Sequence, residues 1–87
     1  IQTKSIILFT ASWCPDCMFI KPFIGNVVKK YPNITFYSIN RDHFIYLCQD
    51  LDILGIPSFV SYENGQETGR FVSKLRKTKE EIETFIQ

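Results

Sequence analysis

No apolar run in this sequence is long enough to cross a membrane. The most apolar stretch, Ser5 to Thr10, is short, whereas a spanning helix needs ~20 apolar residues. Charge of one sign is also lacking. Ten Lys and Arg against nine Asp and Glu leave a formal net charge of +1. That argues against a general nucleic-acid binder, in which basic residues cluster in excess. The basic run Lys74, Arg76, Lys77 and Lys79 reads instead as a solvated face. Cysteine is scarce and odd in number, three in all. A secreted disulfide scaffold tends to carry an even, scattered set. One close pair plus one extra thiol fits a cytoplasmic protein. Internal repeats, linkers and low-complexity segments are absent. No signal peptide is recognisable, and the first residue is Ile1 rather than Met, so an upstream segment is expected to have been trimmed. The 87 residues are expected to form a single domain, 1–87, burying only ~60–65% of the surface its unfolded chain exposes.

Hydrophobic periodicity gives the element order. Ser5 to Thr10 is a continuous, β-branched-rich run, as expected of a central strand buried on both faces. Pro15 suits a first helical turn, because it has no N–H to lose and its φ is already helical. From there to Lys30, Cys17, Ile20, Phe23, Ile24, Val27 and Val28 recur at helical spacing. Pro22 falls inside that helix, where it removes the bond to Met18 and is expected to kink it. Ile34 to Ile39 is a second strand, closing a right-handed parallel βαβ unit. Asn40 or Asp42 is placed to cap a second helix with Phe44, Leu47, Cys48 and Leu51 on one stripe, ended by Gly55. Ser58 to Tyr62 and Glu67 to Val72 are strands joined by Asn64-Gly65, a strong hairpin signal. Gly69 marks a bulge. Thr78-Lys79-Glu80-Glu81 reads as a capping box opening a last helix that buries Ile82, Phe85 and Ile86. The order is β-α-β-α-β-β-α. It predicts an α/β fold with a four-stranded mixed sheet flanked by helices.

The chemistry is concentrated in Trp13-Cys14-Pro15-Asp16-Cys17, between the first strand and the first helix. A helix N-terminus presents unpaired N–H groups and the positive end of the helix dipole. Both favour a thiolate, the nucleophilic form of cysteine. Two cysteines three residues apart on one turn face the same side, so a reversible disulfide is the central expectation. A zinc site from Cys14, Cys17, His43 and Cys48 is the alternative, disfavoured because His43 and Cys48 are spaced more widely than a usual second ligand pair. Thus no metal is expected. His43 is expected at the surface, in the first turn of the second helix, and Cys48 is expected to pack in the core.

These residues carry a resemblance. Phe9 to Cys17 (F-T-A-S-W-C-P-D-C), Pro22, Asn40, Gly55-Ile56-Pro57 and Asn64-Gly65 together resemble the thioredoxin family, and W-C-P-D-C resembles a subgroup of small thioredoxin-related proteins. The family's leading strand and helix are missing from this sequence. The resemblance implies a thioredoxin-like fold and a thiol–disulfide oxidoreductase, a reductase of protein disulfides. Cys14 would be the exposed attacking thiol and Cys17 the buried resolving thiol. Pro57 would be cis and face them, turning the Ile56 backbone outward to pair with an extended substrate segment. Trp13 would wall the substrate groove, with Pro15 beside it. Leu8 stands where the family has a buried Asp, so Asp16 is the nearest candidate for proton handling. Ser73 stands near a glycine of the family, and Leu54 would rim the groove. No bound cofactor is implied, since the cysteines carry the electrons. A flavoprotein disulfide reductase or a low-molecular-weight thiol would be the donor. A monomer acting on protein disulfides, without nucleic acid or membrane, is expected. The competing class is a non-catalytic binding module or redox-gated adaptor, and an oxidase or isomerase is a third reading.

Overall fold

The computed structural model describes residues 4–53, 55–72 and 77–86. Its elements are β1 (Lys4–Thr10), α1 (Pro15–Lys30), β2 (Ile34–Asn40), α2 (Ile45–Asp50), β3 (Ser58–Glu63), β4 (Gln66–Phe71) and α3 (Lys79–Ile86). The sheet order is β2-β1-β3-β4. β1 pairs parallel with β2, with Ile6 opposite Phe36, and antiparallel with β3, with Leu8 opposite Phe59. The sheet is therefore mixed, with β1 inside it as the sequence predicts.

Alternate side chains of β1 and β3 feed two cores. Ile6 and Phe59 join Ile20 and Val27 of α1 and Ile82 and Ile86 of α3. Phe9 and Val60, one residue out of phase, pack with Cys48 of α2 and Ile53. Period-two alternation sends neighbouring residues to opposite faces, so the helices divide between the two faces. Each fully buried side chain of this size contributes about 1.5–3 kcal/mol.

α1 runs through Pro22 as one helix, with Lys29 and Lys30 in its last turn. Asn64 and Gly65 both take positive φ, 54° and 81°, as a two-residue I′ hairpin requires. The bulge falls where Gly69 suggests. Ser61 is opposite Gly69 and Tyr62 opposite Glu67, leaving Thr68 as the extra residue. The Ser61 and Thr68 hydroxyls meet at 2.9 Å across it. The capping box closes reciprocally: Glu81 N–H donates to Thr78 Oγ1 at 3.2 Å, and Thr78 N–H donates to Glu81 Oε1 at 3.1 Å. Thr78→Ala is expected to cost about 1 kcal/mol, the usual value of an N-cap, read as a lower denaturant midpoint with an unchanged m-value.

α2 departs most from the sequence reading. It is a six-residue helix with Phe44 at its N-cap and no side-chain capping bond. Asn40 Oδ1 accepts instead from Asp42 N–H at 2.8 Å, and Asp42 bonds elsewhere. His43 precedes the helix, exposed in a turn. The helix ends well before Gly55, and Asp52 turns left-handed at φ 57°. Of the expected stripe, Cys48 is buried and Leu51 packs partly against its cluster, but Phe44 and Leu47 are exposed beside Ile45 and Tyr46.

Candidate active site

Cys14 is the N-cap of α1, in extended conformation with Pro15 following it in the first turn. Because Pro15 has no N–H, the first donor available to a capping atom is further along the turn. The Cys17 N–H fills that role, donating to Cys14 Sγ at 3.2 Å. A sulfur capping a helix N-terminus sits where partial positive charge is concentrated. Across from it, the Cys14 thiol points at the Ile56 carbonyl, 3.8 Å away. The Ile56-Pro57 bond is cis, and Pro57 is fully buried. Ala11, Cys14 and Cys17 form a small cluster against Ile56. The motif and the Ile-Pro turn are thus brought face to face, as expected.

Cys14 is less accessible than expected. It is 4% exposed, much like Cys17 at 5%. The capping bond and the Ile56 side chain draw its sulfur inward, so it is not the exposed thiol of the sequence reading. Burial pushes the Cys17 thiol above its ordinary pKa, and its hydrogen bond with Cys14 adds to that, against bonds with Thr10 and Ala11 that lower it. A neutral Cys17 beside the helix-capping Cys14 gives the pair two unlike sulfurs. Both are free thiols in this structure. Cys17 also lines a 480 Å³ cleft between α1 and the β1–β2 strands, with Leu8, Ile20 and Phe36. Leu8, half-buried against the α1–α3 core, presents no acid there.

Trp13 is 57% exposed and held by the β2–α2 turn. Its indole N–H donates to Asp42 Oδ2 at 2.6 Å, and the Arg41 guanidinium lies 5.5 Å from the ring centroid. Asp42 is therefore a positioning group for Trp13, not a helix cap. Pro15 is exposed beside it and Asp16 half-exposed. Leu54 and Ser73 lie outside the described residues. His43 and Cys48 do not join the pair. His43 is on a turn, and Cys48 is buried with Phe9 and Val60, its pKa raised by desolvation against the pull of Arg41. Among the described residues no three His, Cys, Asp or Glu side chains converge as a metal site would need.

The whole chain, residues 1–87, matches the model of the thioredoxin family. This chain belongs to the thioredoxin family. A thioredoxin H-type of Fagopyrum esculentum is 36% identical over 67 residues, 77% of this chain and 58% of that protein. Thioredoxin H-type 1 of Nicotiana tabacum is 32% identical over 88 residues, 99% of this chain and 68% of its own length. The solved structure of oxidised thioredoxin O1 from Arabidopsis thaliana superposes with a TM-score of 0.71 at 32% identity, covering 82% of this chain and 66% of that one. The chain thus spans roughly three fifths to two thirds of these relatives, and its thioredoxin fold is the part shared. No described helix is long and apolar enough to cross a membrane.

Lys77 is the residue the sequence reading misplaced. Grouped there with a solvated basic run, it is 1% exposed, its ammonium 5.0 Å from the Phe71 ring centroid. Its position carried a signal. It immediately precedes the Thr78 N-cap, where an apolar residue commonly folds inward as a staple. Lys77 stands in that place and is buried against the Phe71 ring.

Proposed function

We propose that this chain is a disulfide reductase of proteins, working by dithiol exchange through Cys14 and Cys17. The observation that carries the reading is the Cys14 sulfur at the α1 N-cap, accepting the Cys17 N–H and facing the Ile56 carbonyl. Cys14 as thiolate attacks one sulfur of a substrate disulfide, and the other sulfur leaves as a thiolate. Cys17 then loses its proton and attacks Cys14 Sγ. The Cys14–substrate bond breaks, and the second substrate sulfur leaves reduced. Two electrons pass from the dithiol to the substrate, and the protein is left with a Cys14–Cys17 disulfide. Trp13, Pro15 and Ile56 line the approach, backed by the buried Pro57, with the Ile56 backbone available to an extended substrate segment. Asp16, on the same turn as both sulfurs, acts on their proton exchange.

The sulfurs carry the electrons themselves, so the cycle needs a donor and no bound cofactor. A flavoprotein disulfide reductase or a low-molecular-weight thiol supplies them. A reducing compartment suits this direction of exchange, which makes the cytoplasm the proposed site, and the chain is proposed to act as a monomer.

Catalysed reduction of insulin disulfides with either donor tests the proposal, together with the equilibrium potential of the pair. The expected potential lies nearer to roughly −270 mV than to the about −120 mV of a strong oxidant. A value above the about −180 mV of protein disulfide isomerase overturns the reductase assignment. Absence of catalysis with both donors leaves a binding module or redox-gated adaptor.

A further inference from the structure

Cys17 must become an anion in a place that disfavours anions. Burial raises its pKa, and Leu8, in the wall of the same cleft, has no polar group to offer it. The sulfur therefore depends on the polar atoms that the end of β1 brings to it. Ile6 and Leu8 pack toward α1 from that strand, and period-two alternation sends Thr10 to the same face. Thr10 and Cys17 line one cleft. Ala11, the next residue, packs against Cys17 itself, so the chain passes the sulfur at this point. The strand end is fixed there by β2. Thr10 is opposite Asn40, and its carbonyl accepts the Arg41 N–H at 2.8 Å. Its hydroxyl donates to the Cys17 sulfur, as does the Ala11 backbone. A hydrogen bond donated to the charged form of a group favours that form. The charged and titratable groups around the sulfur are Cys14 and Asp16 on its own turn, Lys21 of α1 and Tyr37 of β2 in the cleft wall, and Lys77 ahead of α3. Cys14 raises the pKa of Cys17 through their shared hydrogen bond, and Thr10 is the side chain that opposes it.

We propose that Thr10 is a positioning residue for the resolving sulfur: its hydroxyl, in one cleft with Cys17 and next to the Ala11 that packs on it, holds the Cys17 thiolate by a hydrogen bond while that sulfur attacks the Cys14 mixed disulfide. The Cys17 proton leaves to solvent, the Cys17–Cys14 bond forms, the Cys14–substrate bond breaks, and the departing substrate thiolate takes up a proton. Thr10 keeps its own proton throughout. The help that β1 gives to Cys17 then comes from its last residue, two positions beyond Leu8. It reaches the sulfur as a donated hydrogen bond and not as a base.

The role rests on the exchange reading above, but its test is read on sulfur alone. In a Cys14→Ser, Cys48→Ala background Cys17 is the one thiol left, and its ultraviolet thiolate absorbance is followed against pH. Thr10→Val keeps the branched shape that suits a strand and loses the hydroxyl. It is expected to move the midpoint up by about one pH unit, leaving about tenfold less thiolate near neutral pH. Thr10→Ala, which also lacks the donor but leaves room for water, gives a smaller shift of the same sign. Thr10→Ser, which keeps the donor, stays near the parent midpoint. Circular dichroism establishes that each variant is folded. A midpoint unmoved by valine and alanine, or moved as far by serine as by valine, overturns the role of Thr10. A shift with valine alone assigns the effect to drying of the cleft and overturns it as well. Insulin left unreduced by the parent protein, with the midpoints moving as stated, instead overturns the reductase reading and leaves the hydrogen bond standing.

Discussion

Cys14→Ser is expected to bring disulfide reduction down to the rate at which the donor reacts with insulin unaided. Serine keeps the shape of the N-cap and its acceptor for the Cys17 N–H, which Cys14 Sγ receives at 3.2 Å in the parent. Serine is a preferred N-cap residue, so α1 should be unharmed or slightly more stable. What is lost is the nucleophile. A hydroxyl at this site forms no mixed disulfide, and Cys17, whose pKa burial raises, offers too little thiolate to replace it. Where a nucleophile acts as part of a unit, its removal has cost about 10⁶-fold in kcat; here the floor is the direct donor reaction. Thermal unfolding alongside the insulin assay separates loss of chemistry from loss of fold. Activity persisting in a folded Cys14→Ser protein removes Cys14 from the nucleophile's role.

The same contrast between fold and chemistry runs through what the sequence made legible. β1, α1 and β2 followed from a β-branched run and a helical apolar stripe, since each signal is local and the tertiary packing agrees with it. Asn64-Gly65 and Thr78 to Glu81 were legible for a stronger reason. Positive φ and a reciprocal cap are properties of particular residue types, and the structure has both. α2 was legible only in part. Spacing tells which residues share a face, but not whether another layer covers it. Phe44 and Leu47 share the face with Cys48, yet remain exposed where Cys48 is buried. Asn40 and Asp42 have the chemistry of helix caps, but nearer partners took them: the Asp42 N–H in one case and the Trp13 indole in the other.

At the site, residue types in a motif identified the sulfurs but not their depth. Whether Cys14 lies open depends on Ile56, 42 residues away in the chain. Lys77 shows the opposite failure. Counted by charge it belonged to the surface, whereas its place before an N-cap pointed inward. At the residue before an N-cap, where a staple residue packs inward, Lys77 is buried against the Phe71 ring. Burial pushes the Lys77 pKa down, and Asp16 at the start of α1 and Glu81 in α3 oppose that drop.

Cys17→Ser is expected to convert turnover into capture. The first half of exchange needs Cys14 alone, so the variant still attacks a substrate disulfide. Release normally comes from a sulfur on the same helical turn, and effective molarities of well-oriented intramolecular reactions reach about 10⁵ M or more. Any external thiol is present at millimolar levels, so losing even a small part of that advantage prolongs the mixed disulfide by orders of magnitude. Serine at position 17 keeps the backbone N–H that the Cys14 sulfur accepts, so the attacking cysteine retains its setting. A Cys48→Ala change, made at a buried site packed with Phe9 and Val60, leaves Cys14 as the one thiol that can hold a partner. Non-reducing electrophoresis and mass spectrometry should then find adducts linked through Cys14, released by a strong reductant and absent from the Cys14→Ser control. Adducts that resolve as fast as in the parent would mean that a thiol other than Cys17 completes the exchange, and the roles of the two sulfurs would have to be redrawn.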